Sequence, residues 1–197
     1  MENATPQPEG WSSRGYLPHF DGGETPQMIT FRLADSLPEE RLAEWRQELG
    51  CRPRSEADVE LRRRIERYLD LGHGEALLRN PSIAQLVQGA LLHFDGERYR
   101  LQAWVVMPNH VHALATPAPG GELGRLVHSW KSFTAQQANR MLGRRGSMWQ
   151  REYLDRFMRD GRHFEAVVAY IENNPVKARL CERTEDWPFG SARFRGA

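Results

Sequence analysis

The chain has 197 residues, of which 40% are hydrophobic and 27% charged, the balance of one soluble globular domain large enough for a full core. No run of about eighteen apolar residues occurs, which excludes a helical membrane span, and the start "MENATPQPEGWSSRGYLPHF" has no basic segment leading into an apolar one, so no secretory signal is expected. Cys51 and Cys181 lie far apart and outside any CxxC pattern, which argues against a disulfide framework or a cysteine zinc site and fits a reducing cytoplasm. The net charge of +1 hides an asymmetry: residues 98–197 carry sixteen Lys or Arg against nine Asp or Glu, whereas residues 1–97 carry eleven against seventeen. The second half is the one expected to face a polyanion.

Residues 1–26 are rich in Pro, Gly and polar side chains and predict an irregular segment in which "GYLPHF" docks on the domain. A short strand is predicted over 27–34, and a helix over 37–49 closes at Gly50. A second helix over 55–72 has Ser55 as its N-cap and Val59, Leu61, Ile65, Tyr68 and Leu69 as its stripe. A third spans 80–94, with Asn80 as cap, Pro81 in first position and Ile83, Leu86, Val87, Ala90 and Leu91 inward. Strands over 98–107 and 110–116 form an antiparallel hairpin through "PN". A long helix over 122–142 turns Leu123, Leu126, Val127, Trp130, Phe133, Thr134, Gln137 and Met141 inward. A basic loop "GRRGSMWQ" leads to a strand over 151–159 and a last helix over 161–174 stopped by Pro175. The tail has too little periodicity for a long element. The pattern gives one α+β domain over 27–197, with a helical insert at 39–94 between the first strand and the hairpin.

The chemistry concentrates in "WVVMPNHVHALAT". Side chains alternate along a strand, so His110 and His112 point to the same face. Three readings are open: two half-buried structural histidines, a zinc hydrolase, or a divalent-metal site completed elsewhere. Zinc catalysis needs a third protein ligand, and "HVHALATPAP" supplies no nearby Asp or His. In the last helix Phe164, Val167, Val168 and Ile171 form the buried stripe, leaving Tyr170 and Asn174 four apart on one flank. If that flank faces the histidines, Asn174 offers a neutral oxygen ligand and Tyr170 lies one turn away. Two imidazoles and an amide oxygen suit Mg²⁺ or Mn²⁺ with sites left open for phosphate oxygens. Attack by Tyr170 on a backbone phosphate would leave a 5′-phosphotyrosine and a free 3′-hydroxyl.

The blocks "WVVMPNHVHAL", "HSWKSFTA", "WQREYLDRFMRD" and "YIENNPVKA" occur here in order, and the chain from about residue 14 to 194 resembles the REP-associated tyrosine transposases, single-tyrosine HUH enzymes. The resemblance implies a ferredoxin-like antiparallel sheet with packed helices. It implies His110 and His112 as the metal-binding pair, Asn174 as third ligand and Tyr170 as nucleophile. The implied activity is metal-dependent endonuclease and strand transfer on single-stranded DNA at palindromic, REP-like hairpins, in a nucleoid-associated protein acting as monomer or homodimer. The alternatives are a module that binds hairpin DNA without cutting it, and a small zinc hydrolase using the histidine pair.

Around this centre, Lys131 and Lys177 are the only lysines beside twenty-five arginines and both fall inside the family-like blocks, so they are expected on phosphate. Arg144, Arg145 and Arg151 would track a DNA backbone, with Trp149 for base stacking, and Tyr16 and His19 would help read the hairpin foot.

Overall fold

The computed structural model describes residues 23–195 together with the backbone of 11–13 and 18–20. Its elements in order are β1 (Trp11–Ser13), β2 (Pro18–Phe20), β3 (Gln27–Arg32), α1 (Glu39–Leu49), α2 (Arg54–Asp70), α3 (Pro81–Leu92), β4 (Tyr99–Val106), β5 (His110–Pro117), α4 (Leu123–Leu142), β6 (Leu154–Phe157), α5 (Gly161–Lys177) and α6 (Ala192–Arg195). Four strands form one sheet in the order β4-β5-β3-β6, every pair antiparallel. With α3 linking β3 to β4 and α4 linking β5 to β6, the sheet has the ferredoxin-like β-α-β-β-α-β path the sequence leads one to expect.

Both faces of the sheet are covered, so β3 is buried along its whole length and β5 nearly so. On one face Ile29, Phe31, Val111, Ala113 and Ala115 meet α3 and α4. The polar groups this layer buries are partnered: Tyr99 Oη donates to Leu91 O at 2.6 Å, Trp130 Nε1 donates to Tyr99 Oη at 3.0 Å, and Trp149 Nε1 donates to Thr134 Oγ1 at 2.9 Å. On the other face Met28, Ala103, Val105, Met107 and Leu114 meet Val167 and Ile171 of α5. The histidines alternate with Val111 and so share Leu114's face, under α5.

Several expectations change. Residues 11–13 and 18–20 pair antiparallel rather than running irregularly, and His19 stands opposite Ser12; ribbons of three residues are too short to leave a periodic signal. Tyr16 lies outside the described residues. Helix α2 starts at Arg54 after Pro53 with no side-chain cap, so Ser55 is not its cap, and Val59 is 66% exposed. In α4, Phe133 and Met141 face solvent, and Ala138 takes the inward position instead. Pro175 does not end α5. It removes one donor near the end of the helix, yet Ala178 N still donates to Asn174 O at 2.9 Å and Leu180 N to Pro175 O at 2.9 Å.

Of the helices in the 39–94 insert, α3 belongs to the sheet's own helix layer, which leaves α1 and α2 as the added pair. They form a small core of Leu42, Leu49, Leu61, Ile65 and Leu69, closed by Leu37 and touched by Leu154 of β6. This contact seats α2 along the β6 edge. Its far end is fixed by a tight turn: Glu75 N donates to Asp35 Oδ2 at 2.6 Å, and Gly74 takes φ +90° with the Asp35 carbonyl oxygen 2.9 Å from where a Cβ would stand. Only glycine fits there without strain. Gly74→Ala is therefore expected to cost about 1–3 kcal/mol, read as a lower urea midpoint at unchanged m-value.

Candidate metal and tyrosine site

The hairpin that carries the histidines is closed by Pro108 and Asn109, with Met107 N donating to His110 O at 2.8 Å. Asn109 is fully buried and holds three neighbours. Its carbonyl accepts from Leu33 N at 2.9 Å, its Nδ2 donates to His73 O at 2.9 Å, and its Oδ1 lies 2.7 Å from His110 Nδ1. Because the amide nitrogen is committed to a carbonyl, the oxygen must face the ring, so His110 Nδ1 carries the proton and donates. His110 Nε2 is left with a lone pair.

That lone pair lies 3.1 Å from His112 Nε2. The register sets Thr30 opposite His112, and Thr30 Oγ1 lies 2.7 Å from His112 Nδ1. A hydroxyl can donate or accept. When Thr30 donates, His112 Nε2–H donates to His110; when Thr30 accepts, both Nε2 lone pairs converge on one point, as ligands of one cation do. Bonds of about 2.1 Å from a shared ion to nitrogens 3.1 Å apart subtend about 95°, nearer octahedral than tetrahedral geometry.

Asp70, the last residue of α2, completes this cluster. Its carboxylate oxygen and the two imidazole nitrogens all lie within 4.8 Å of one another. Asp70 Oδ1 is buried with no hydrogen-bond partner, as are Tyr170 Oη, whose ring neighbours His112, and both amide atoms of Asn174, one helical turn from Tyr170. Such atoms are costly unless something satisfies them. Two neutral nitrogens, a carboxylate and an amide oxygen one helical turn from the phenol are a donor set that fits a divalent cation.

The Tyr170 ring stands 5.5 Å from the His112 ring, centroid to centroid, at 64°. One chain thus brings together the histidines and the tyrosine named from sequence. Burial first, then the charges of Glu66 and Asp70, push the phenol well above its usual range. The Asn174 amide eases that rise slightly without making a well-formed hydrogen bond. Lys177 Nζ pairs with Asp70 Oδ2 at 2.5 Å and sits 5.6 Å from the centre of the Tyr170 ring. Lys177 is therefore at the site, holding a carboxylate.

The other expected contacts fall elsewhere. Trp149 is not available for stacking: it is a core residue, edge-on to Phe31 at 4.8 Å. Lys131 sits on α4, on the opposite face of the sheet, where its Nζ donates to Arg151 O at 2.7 Å and burial lowers its pKa to about 8. Arg144 pairs with Glu75 at 2.9 Å, while Arg145 and the Arg151 side chain are exposed.

Sequence reasoning missed Asp70, Asn109 and Thr30. Asp70 had a signal: an acid in the last turn of a helix opposes the helix dipole, which favours cations there.

Residues 83–174 match the family model described as "Transposase IS200 like". The REP-associated tyrosine transposase of Escherichia coli strain K12 is 27% identical over 108 residues, covering 54% of this chain and 63% of that protein; the match thus falls short of two thirds of that relative's length. A solved structure of a REP-associated tyrosine transposase bound to a REP hairpin superposes with a TM-score of 0.58 at 20% identity, covering 91% of this chain and 82% of that one. It has the same fold.

Two outcomes follow from the site. Burial holds the His110 pKa at about 3 and the His112 pKa well below 6.5. Below pH 6.5 the unfolded chain takes up protons that the native, metal-free chain refuses, so stability is present above that pH and falls as pH drops toward 3. Each imidazole contributes at most about 1.4 kcal/mol per pH unit. Urea unfolding in EDTA at pH 6.5 and 5.0 is expected to show this loss, and His110→Gln to reduce it; equal losses in both proteins would contradict it. Lys177 competes for Asp70 with any cation the cluster binds, so Lys177→Gln is expected to tighten Mn²⁺ binding several-fold by calorimetry, and Asp70→Asn to weaken it at least ten-fold. Unchanged affinity in Asp70→Asn would place Asp70 outside the coordination sphere.

Proposed function

We propose, on the premise that this chain is a relative of the REP-associated tyrosine transposases, that it is a metal-dependent endonuclease and strand transferase acting on single-stranded DNA at palindromic hairpins. The observation that carries the proposal is the Tyr170 ring lying against His112 within one chain. His110, His112 and Asp70, with the Asn174 amide oxygen, are the residues that would hold Mg²⁺ or Mn²⁺. A cation bound there would act as a Lewis acid on the scissile phosphate and offset the carboxylate charge that adds to burial in raising the phenol's pKa.

Each side chain then has a task. Tyr170 Oη attacks the phosphorus, the P–O3′ bond breaks, and the 3′ oxygen leaves as a free hydroxyl once protonated. Tyr170 Oη touches no hydrogen-bond acceptor among the described residues, so the phenol's proton passes to water entering with the substrate, and water returns one to the 3′ oxygen. The product is a 5′-phosphotyrosine, and because the bond energy is kept, a second 3′-hydroxyl can reverse the step onto a new strand. Asn109 fixes the His110 tautomer that binding requires, and Thr30 can turn to accept from His112 Nδ1 so that its Nε2 is free as well. Arg145 and Arg151, exposed at the surface, serve as contacts to the DNA backbone.

Asp70 also gives the zinc hydrolase reading the third ligand it lacked in the sequence, because two histidines and a carboxylate suit zinc as well. A single experiment separates the readings. The protein is mixed with 3′-labelled hairpin oligonucleotides and Mg²⁺ or Mn²⁺, then run on a denaturing gel. A covalent protein–DNA band is expected, absent with EDTA and in Tyr170→Phe, whose circular dichroism matches the wild type. His110→Ala should lose cleavage by at least a hundred-fold and keep hairpin binding within a few-fold. Tightly held stoichiometric zinc with no adduct would favour the hydrolase; no adduct under any of these metals would overturn the transferase.

A further inference from the structure

Helix α2 does more than carry Asp70. Positions 59, 62, 63, 66 and 70 fall on one stripe of a helix, so Val59, Arg62, Arg63, Glu66 and Asp70 form a face separate from the buried face of Leu61, Ile65 and Leu69. Val59, Arg62, Arg63 and Glu66 of that stripe line a groove of about 290 Å³ whose opposite wall is the β3–β6 edge, with Met28, Thr30, Leu154, Asp155 and Arg156. Thr30 is shared: the groove reaches the residue that holds His112. From Val59 to Glu66 the helix rises about 10 Å, a length of about three nucleotides at the 3.4 Å rise of a DNA strand.

We infer that this groove is a binding site for the single-stranded nucleotides adjoining the scissile phosphate, with Arg62, Arg63 and Arg156 on their phosphates and Met28 and Leu154 under a base. The inference rests on the endonuclease reading above and names where its substrate strand runs. The lining suits a nucleotide better than a bare anion or an apolar ligand. Arg62 Nε is buried with no hydrogen-bond partner, a cost that a phosphate oxygen would remove. Arg156 and Met28 are cross-strand partners on the same wall, the Arg156 Nη2 3.6 Å from the Met28 sulfur, so a guanidinium and an apolar side chain stand side by side where a base can stack. Glu66 stands among the arginines, where its charge would repel an isolated phosphate and accept instead from an amino or imino N–H of a base. Val59, 66% exposed at the mouth, extends the apolar strip outward.

The test compares two probes with the full-length protein: a labelled hairpin bearing a short randomised single-stranded extension, and the same hairpin without it. Binding is followed by fluorescence anisotropy over a range of NaCl concentrations. For the extended probe, Arg62→Ala and Arg156→Ala are each expected to weaken binding about ten-fold and to lower the magnitude of the log K against log[salt] slope by about 0.7, one released counterion on a single strand. Arg62→Lys should restore the slope, and the unextended hairpin should bind all variants equally. Unchanged slopes in both alanine variants, or equal loss on the unextended hairpin, would overturn the groove assignment. If the wild type forms no covalent adduct with the extended probe, the endonuclease reading fails, whatever the slopes show.

Discussion

Two uncharged imidazole nitrogens held 3.1 Å apart in the protein interior set the terms for everything around them. Their closeness is tolerable without a cation only because one can donate to the other, and it becomes favourable with a cation because the Thr30 hydroxyl can turn to accept. Burial keeps both rings neutral, so no proton competes for the lone pairs at ordinary pH. The sheet supplies rigidity: β5 is paired on both sides, to β4 and to β3, and Asn109 ties the hairpin turn to the β3 end and to His73. A loop could present the same residues but would not hold them to a few tenths of an ångström.

The charges nearest this pair are arranged in opposition. Burial and then the charges of Glu66 and Asp70 raise the cost of a phenolate at Tyr170, Lys177 pairs with Asp70, and Arg156 acts in the opposite sense on both Tyr170 and Glu66. In the absence of a cation the field therefore favours a protonated, unreactive tyrosine. The α1–α2 pair, which lies outside the ferredoxin-like core, supplies both acids. Its own core of Leu42, Leu49, Leu61, Ile65 and Leu69 lets it stand as a rigid wall. Burying a leucine or isoleucine contributes about 1.5–3 kcal/mol, so five of them readily hold two helices in place.

What could be read from the sequence follows the range of the physics involved. Strand alternation put His110 and His112 on one face, helical spacing put Tyr170 and Asn174 on one flank, and both are local rules with fixed periods. Asn80 and Pro81 marked the start of α3 to the residue, because a cap is also local. For Asp70 such rules give only an acid at the unfavourable end of a helix; that it reaches the histidines depends on a fold spanning some forty positions of sequence. Trp149 was misjudged for a related reason: a basic loop looks solvent-facing, but the residues after it return to pair with Leu33 and bury the ring against Phe31. Charge summed over half a chain is also a coarse guide to a surface. Arg62 and Arg63, which line the groove beside the site, come from the acidic half, because net charge over a hundred residues says nothing about which side chains share a face.

The seat of α5 connects these levels. Val167 and Ile171 bury the helix against Met28, Val105 and Leu114, and the same turns project Tyr170 and Asn174 sideways toward the histidines. Beyond Pro175 the helix continues just far enough to bring Lys177 onto Asp70. A proline in the last turn removes a hydrogen bond that an ordinary helix would keep, and the packing of the preceding three turns makes the loss affordable. The apolar stripe of α5 thus contributes no polar atom to the cluster, yet it fixes the distance between the Tyr170 ring and the histidines.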